Sequence, residues 1–134
     1  MGTRFMASKE CQTHPNIKRW LLELSEKDTM LIQRSINTTG RVVKTDFTQK
    51  ILEMEKKGAT LEELLPLIRG ERGMIAYRTG DWSNATISVG QIIGLVRDIP
   101  TVKQIIEGII KEADRIVEHL YISKTGKTRK LKDN

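Results

Sequence analysis

The sequence predicts a mainly α fold that contains one or two short strands. Apolar residues recur at helical spacing in several segments, most clearly between residues 102 and 120. Apart from residues 1–5, only residues 29–32 and 41–43 have the short apolar or β-branched runs, close to turn residues, that indicate strands. Aromatic residues make up 4% of the chain, so any core must be built mainly from Ile, Leu, Val and Met.

The first two segments are predicted to be a strand end and a helix. Residues 1–5 have the pattern of a buried strand that runs into a turn. A helix is expected after Thr13 as its N-cap, because Pro15 suits a first turn, where its missing N–H costs nothing. The apolar stripe of this helix is Ile17, Trp20, Leu21 and Leu24. Residues Asn37 to Gly40 then form a turn signal between the two candidate strands.

Two further helices follow in the middle of the chain. One is predicted to begin after Thr45 as N-cap and to end at Gly58. The next begins after Thr60, which with Glu63 three residues later has the spacing of a capping box. Because proline lacks the N–H that a helix interior needs, Pro66 should kink or end this helix within a turn.

A short helix and an irregular loop are expected next. Gly70 should close the preceding helix, and a short helix should run from Arg72 to Arg78 and stop at Gly80. The small and polar residues of 81–88 indicate an irregular loop.

The final helix has the clearest pattern in the sequence. Asp98 is its expected N-cap, and Pro100 falls in its first turn. Its apolar stripe is wide, so it requires a partner surface. The stripe consists of Val102, Ile105, Ile106, Ile109, Ile110, Ala113, Ile116, Val117 and Leu120.

The net charge of +6 and the pI near 9.6 invite a nucleic-acid interpretation, but the charge is concentrated at one end. Four of the six net positive charges fall in the last eleven residues, so the chain has a basic tail rather than a basic domain. We interpret residues 123–134 as a disordered tail and regard nucleic-acid binding as the weakest hypothesis. The basic residues of this tail are Lys124, Lys127, Arg129, Lys130 and Lys132.

The single cysteine, Cys11, excludes an internal disulfide framework and a cysteine-based zinc site. No segment approaches the roughly 20 apolar residues of a membrane span, and the N-terminus lacks the apolar core of a signal peptide. We therefore predict a cytoplasmic protein without a membrane partner.

Five short motifs occur in a characteristic order, and together they resemble the FMN-dependent nitronate monooxygenase family, formerly called 2-nitropropane dioxygenases. The related enoyl-acyl carrier protein reductase II flavoenzymes share the pattern. The resemblance covers roughly residues 1 to 120. The motifs are Met1-Gly2-Thr3-Arg4-Phe5 with the run to Cys11, Gly80-Asp81, Gly90-Gln91, Gly94-Leu95 and Asp98-Ile99-Pro100-Thr101-Val102.

The resemblance implies that this chain is a C-terminal fragment of a TIM (β/α)₈ barrel flavoprotein, because such a barrel needs about 250 residues. Residues 1–5 would then be the end of the last barrel strand, 6–99 a helical cap region with loops, and 100–122 the terminal amphipathic helix. The missing N-terminal barrel segment would carry the catalytic histidine. We therefore expect a chain that is inactive alone and that has this segment as its partner.

The resemblance also implies where the cofactor binds. Met1, Gly2 and Thr3 would hold the FMN phosphate, and a glycine suits that place because no Cβ obstructs the approach of backbone N–H groups. Gln91 would point its amide toward the isoalloxazine edge or the pocket for a small nitro or nitronate substrate. The alternatives are a bare strand end and an amide that satisfies loop carbonyls. Val89 departs from the small residue that the family usually has before the Gly-Gln pair.

The remaining residues with chemical potential are predicted to be structural. His14 precedes a helix and should accept a capping or loop hydrogen bond, and His119 lies on the polar side of the last helix, so we assign no catalytic or metal residue. Cys11 is expected to be a partly buried apolar residue. Trp20 should lie in the core, while Trp82 either lines a ligand pocket or holds the cap together.

Two other functions stay open beside nitronate oxidation. The chain could be a non-catalytic helical interaction module that docks on a separately encoded barrel. It could also be a fragment of an enoyl-acyl carrier protein reductase-like flavoenzyme.

Overall fold

The computed structural model describes residues 1–126 and divides the chain into two units, Met1–Ile99 and a second unit that starts at Pro100. From residue 127 onward, the predicted basic tail lies outside the described residues. The first unit contains two short 3₁₀ helices, Glu26–Asp28 and Gln91–Leu95. Its other elements are α1 (Gly2–Met6), α2 (Pro15–Glu23), β1 (Thr29–Ile32), β2 (Gly40–Val43), α3 (Asp46–Lys56), α4 (Leu61–Ile68) and α5 (Gly70–Thr79), and the second unit contains α6 (Val102–Thr125).

The strand end predicted for residues 1–5 is wrong, because Gly2–Met6 is a helix. The backbone N–H groups of Arg4 and Phe5 donate to the carbonyl of Met1 at 3.0 and 3.4 Å. A strand needs a neighbour to complete its ladder of hydrogen bonds, and within residues 1–126 the sheet consists of β1 and β2 alone. A helical turn satisfies the same backbone groups locally.

The two predicted strands are confirmed, and they pair as an antiparallel hairpin. The register runs from Thr29 opposite Val43 to Ile32 opposite Gly40. Residues 81–88 were predicted to form a wholly irregular loop, but the part of this segment next to β2 is extended. Val43 N–H donates to the carbonyl of Ile87 at 2.9 Å, and Val89 N–H donates to that of Arg41 at 3.1 Å. These backbone bonds fix the chain immediately before Gly90.

Two predicted helix caps are confirmed, and two are wrong. Thr45 and Thr60 both cap helices, and Glu63 accepts from the Thr60 N–H at 2.8 Å. The cap of α2 is His14 rather than Thr13, since Nδ1 of His14 accepts from the N–H of Asn16 at 3.1 Å. Thr13 instead makes a 3.2 Å contact with the thiol of Cys11.

The cap of α6 is Thr101 rather than Asp98, and Gln104 completes a capping box with it. Asp98 lies three residues before this cap, and its carboxylate is paired with Arg4. The helix runs three residues past the predicted end at 122, so residues 123–125 are helical rather than part of a disordered tail. In α6 only Ile105 is buried, and Ile106, Ile109, Ile110, Ile116, Val117, Leu120 and Tyr121 are exposed.

The boundaries of the middle helices agree with the predicted start and stop signals, with one exception. Helix α4 ends at Ile68, within a turn of Pro66 as expected. Gly70 does not close this helix but begins α5, which then ends at Gly80 in the left-handed conformation with a φ of 80°. None of the helices in the described part of the chain is long and apolar enough to cross a membrane.

Two apolar clusters form the interior of the first unit. The smaller one joins the hairpin to α3 and α4 through Ile32, Val42, Phe47, Ile51 and Leu64. The larger one brings α2 and α5 together with the 85–96 segment. It contains Ala7, Ile17, Leu21, Val43, Ala76, Ala85, Ile87, Val89, Ile93 and Val96, with Trp20, Leu24 and Trp82 partly buried against it.

Candidate functional site

Thr3 and Gly90 meet in the structure, although 87 positions separate them in the sequence. The Thr3 hydroxyl oxygen accepts a hydrogen bond from the backbone N–H of Gly90 at 2.8 Å. Thr3 is only 8% exposed, so this bond is shielded from water. The contact brings together the two segments that the sequence analysis assigned to the cofactor, residues 1–3 and the Gly90-Gln91 pair.

A second long-range contact is made by the next residue of α1, Arg4. The Arg4 guanidinium donates to the Asp98 carboxylate at 2.5 Å and to the Asp98 backbone carbonyl at 2.9 Å. The pair is partly exposed, so its contribution to stability is modest, at about 1 kcal/mol or less. The main effect of the pair is on geometry, because it fixes where α1 lies against residues 96–98. It also neutralises the cationic charge closest in sequence to residues 1–3.

Gly2 leaves its backbone open to an incoming group. A Cβ built on Gly2 would have no heavy atom within 4 Å, and the residue is exposed. The N–H groups at the beginning of any helix lack intrahelical partners, so those of α1 can donate outward. The Thr3 hydroxyl uses its oxygen on Gly90 and retains its proton for a second partner. Residues 1–3 therefore present backbone N–H donors and one hydroxyl donor at the start of α1.

Gln91 lies at the start of the second 3₁₀ helix, directly after this tie. Its side chain is exposed, and within the described residues its amide makes no hydrogen bond. The alternative in which Gln91 satisfies loop carbonyls is therefore not the observed arrangement. Ile92 and Leu95 on the same short helix are exposed as well, Leu95 by 80%. The surface around Gln91 is thus a polar amide beside two apolar side chains.

Val89, the departure from the family pattern, is a buried core residue. Its N–H pairs with Arg41, and its side chain belongs to the larger apolar cluster. The substitution therefore acts on packing behind the Gly90 turn rather than on the exposed surface of the candidate site.

The other residues with chemical potential lie outside this surface. His14 caps α2 in place of the predicted Thr13, and His119 is exposed on α6. No group of three metal-ligating side chains occurs within residues 1–126. Cys11 is half-buried, and burial raises the pKa of the nearby Tyr77 phenol, partly offset by a backbone hydrogen bond from Ser88. A neutral phenol in this place is a packing element.

Sequence reasoning missed the ion pair between Arg4 and Asp98. Both residues stood inside motifs that were recognised, but Arg4 had been given no role and Asp98 only that of a helix cap. Their opposite charges at the two ends of the first unit were the available signal, and nothing in the spacing of 94 residues indicated contact.

Comparison with known proteins supports the resemblance. The family model described as nitronate monooxygenase matches residues 1–112. FabK from Thermotoga maritima is 37% identical with a TM-score of 0.82, and the match covers 90% of this chain and 38% of FabK. A methionine-to-alanine variant of FabK from Thermotoga maritima matches at 35% identity with a TM-score of 0.70, over 90% of this chain and 34% of that one.

The fold, taken with these matches, places the chain in a class of flavin oxidoreductase families. Within that class, the chain belongs to the nitronate monooxygenase family, to which FabK is related. It spans little more than a third of the length of the FabK chains that it matches. The described residues contain the helical part of the predicted fold, and a barrel is not among their elements.

Proposed function

We propose that this chain is the C-terminal part of an FMN-dependent oxidoreductase that oxidises alkyl nitronates with O₂, and that it is inactive alone. The observation that carries the proposal is the hydrogen bond between Thr3 and Gly90. This bond joins the segment assigned to the cofactor phosphate with the segment assigned to the flavin edge. A cytoplasmic location and a small nitro or nitronate substrate belong to the same proposal.

Met1, Gly2 and Thr3 would hold the FMN phosphate. The exposed Gly2 allows close approach of a phosphate oxygen to backbone N–H groups, and the Thr3 hydroxyl adds a donor. Bound FMN would supply the redox chemistry, and Gln91 would orient the substrate or the flavin edge through its amide. Because Arg4 is paired with Asp98, phosphate binding would depend on backbone donors and on groups from elsewhere.

The partner in this proposal is a barrel segment that carries the rest of the cofactor site and the catalytic base. Two sets of exposed apolar residues agree with such a partner. One is the stripe on α6, and the other is the pair Ile92 and Leu95 next to Gln91. Contiguous exposed apolar surface commonly marks an interface.

An enoyl-acyl carrier protein reductase-like reaction is the second candidate. It is favoured by the similarity to FabK at 37% identity over 90% of the chain. The two candidate reactions would use the same FMN-binding residues and differ in the substrate. Activity assays with the two substrates can therefore distinguish them, whereas flavin binding cannot.

The test is a chimera in which this chain replaces the matching 38% of Thermotoga maritima FabK. We expect the chimera to retain FMN through purification and the isolated chain to retain none. Nitronate oxidation by the chimera supports the first candidate, and enoyl reduction without nitronate oxidation supports the second. FMN binding by the isolated chain with a Kd below about 1 μM would contradict the assignment of residues 1–3 as a partial site.

Matched variants in the chimera test the residues. Gly2→Val should abolish flavin retention, because a branched side chain would occupy the space that the phosphate needs. Gly70→Val is the control, since a Cβ at Gly70 also has no neighbour within 4 Å but lies away from residues 1–3. Gln91→Ala should change turnover or substrate affinity and leave flavin bound. Stable association of the isolated chain with the separately expressed barrel segment, without flavin or activity, would instead favour the interaction module.

A further inference from the structure

Gln91 carries the exposed amide of the candidate site, but its side chain does not hold itself in place. Within the described residues this amide makes no hydrogen bond, so its position depends on the backbone that carries it. That backbone begins the 3₁₀ helix Gln91–Leu95, where the N–H of Ile93 donates to the carbonyl of Gly90 at 3.0 Å. Ile93 is fully buried and anchors the later part of this turn. The start of the turn, and with it Gln91, depends on where Gly90 lies.

Gly90 cannot fix its own position. It has no side chain to pack, and its φ of −88° and ψ of 166° are an extended conformation that any residue adopts. Glycine also has the greatest backbone freedom of all residues, so it must be held by its neighbours. The preceding residue, Val89, is bonded to the hairpin through its N–H, which donates to the carbonyl of Arg41. The N–H of Gly90 donates to the Thr3 hydroxyl instead.

Thr3 is suited to hold this N–H because Thr3 is fixed itself. It is the buried residue of α1, and a β-branched side chain has few χ1 rotamers. The next residue, Arg4, donates to both the carboxylate and the backbone carbonyl of Asp98, which anchors α1 on the segment that follows Gly90. The bond from Gly90 is shielded from water, and a shielded donor that loses its acceptor is destabilised.

We infer that Thr3 is the positioning residue for Gln91. Its oxygen holds the Gly90 N–H, and this bond gives the Gln91 amide one position on the surface of the first unit. The role uses an oxygen lone pair, so it is separate from the O–H donor that Thr3 offers in the proposed function. Its consequence for turnover rests on the proposed function, whereas its consequence for the position of the amide does not.

The first test uses NMR on the 134-residue chain without cofactor. In the unsubstituted chain the Gly90 amide should exchange its hydrogen slowly, as the bonded Val89 amide does. Thr3→Val keeps the shape of the side chain and removes the acceptor, so it should speed exchange at Gly90 about tenfold or more, the effect of losing one hydrogen bond. It should also shift the side-chain NH₂ signals of Gln91.

Two further variants separate this role from a general loss of stability. Thr3→Ser keeps the acceptor, so it should restore slow exchange at Gly90 and the original Gln91 signals. Thr48→Val removes another buried threonine hydroxyl, one that donates to the carbonyl of Val43 at 3.0 Å, and should leave the Gln91 signals unchanged. Far-UV circular dichroism checks that each variant keeps its fold. If Thr3→Val unfolds the chain, the exchange of the unsubstituted chain and the Thr3→Ser spectrum still decide.

The second test is a double-mutant cycle in the chimera with Thermotoga maritima FabK, at saturating FMN. Thr3→Val and Gln91→Ala should each lower kcat/KM about tenfold, and the double variant should be no slower than Gln91→Ala, because the two residues act as a unit. Thr3→Ser should restore kcat/KM. A chimera inactive toward both substrates contradicts the proposed function, and the NMR result then decides the positioning role alone. Fast exchange at Gly90 in the unsubstituted chain, Gln91 signals insensitive to Thr3→Val, or losses that multiply in the double variant would overturn the inference.

Discussion

Gly80 occupies a position where even a methyl group should cost substantial stability. The residue ends α5 with a φ of 80°, and a Cβ at this place would lie 2.2 Å from the Nδ1 atom of His14. That nitrogen accepts the capping hydrogen bond from the N–H of Asn16. Gly80→Ala must therefore adopt a left-handed backbone and also displace the cap of α2.

The expected loss follows from two contributions. A left-handed conformation costs a residue with a Cβ about 1–2 kcal/mol. Loss of a helix N-cap costs about 1 kcal/mol. The total for Gly80→Ala is about 2–3 kcal/mol of unfolding free energy.

Gly58 supplies a matched control for the backbone contribution. It has a φ of 83°, and a Cβ there would have no neighbour within 4 Å, so Gly58→Ala should cost only the strain of about 1–2 kcal/mol. In a His14→Ala background the steric conflict is absent, and Gly80→Ala should then cost about as much as Gly58→Ala. Urea unfolding followed by tryptophan fluorescence reports on the first unit, where both tryptophans lie.

The reasoning would be refuted by either of two results. One is a cost for Gly80→Ala within roughly 0.5 kcal/mol of that for Gly58→Ala, which is the usual limit for additivity of independent sites. The other is an unchanged cost of Gly80→Ala after His14 has been replaced.

Three other predictions concern different parts of the chain. Burial raises the pKa of Glu55, but hydrogen bonds from the 33–35 backbone and from Ser35 outweigh it, so the pKa lies below its ordinary value. Glu55 should therefore stabilise the fold above the ordinary glutamate pKa of about 4.3 and lose this effect as the pH falls, and Glu55→Gln should flatten the pH dependence of urea unfolding. Lys18 is buried, and its ammonium group donates to the carbonyls of Ser8 and Lys9 at 2.6 and 3.3 Å. Lys18→Met should therefore lower the free energy of unfolding, measured with urea, by about 1–3 kcal/mol. Lys27 is exposed, so Lys27→Met should lower it little. The apolar stripe of α6 should make the isolated chain bind a dye for exposed hydrophobic surface, and a dye-silent, monodisperse monomer in light scattering would contradict an unpartnered stripe.

Elements whose signals are local could be predicted from the sequence. The caps of α3 and α4 and the hairpin strands depend on residues within a few positions of each other, so spacing was sufficient. Two caps were assigned wrongly for a common reason. Thr13 and Asp98 have suitable side chains, but each is engaged by another group, Cys11 in one case and Arg4 in the other. Competition of this kind is invisible until the tertiary contacts are known.

The candidate site shows the same limit at longer range. Resemblance was enough to name Thr3 and the Gly90-Gln91 pair, but not to predict that Thr3 and Gly90 are hydrogen-bonded. The conformation of residues 1–5 was predicted wrongly because a short apolar segment fits either a strand or a helix. Its ties to Gly90 and Asp98 come from residues about 90 positions away, beyond the reach of any local pattern.

The ion pair between Arg4 and Asp98 also means that the first unit closes on itself. Residues near its two ends lie within direct contact, and domains with adjacent ends tolerate insertion into other proteins and circular permutation. Residues 1–99 should therefore be transplantable as one insert into an exposed loop of an unrelated host protein without stretching either junction. A permuted version that opens the chain at the exposed Thr38 and Thr39, and links residue 99 to residue 1 by a short peptide, should retain the stacking of Trp20 on Trp82, whose ring centroids lie 4.3 Å apart.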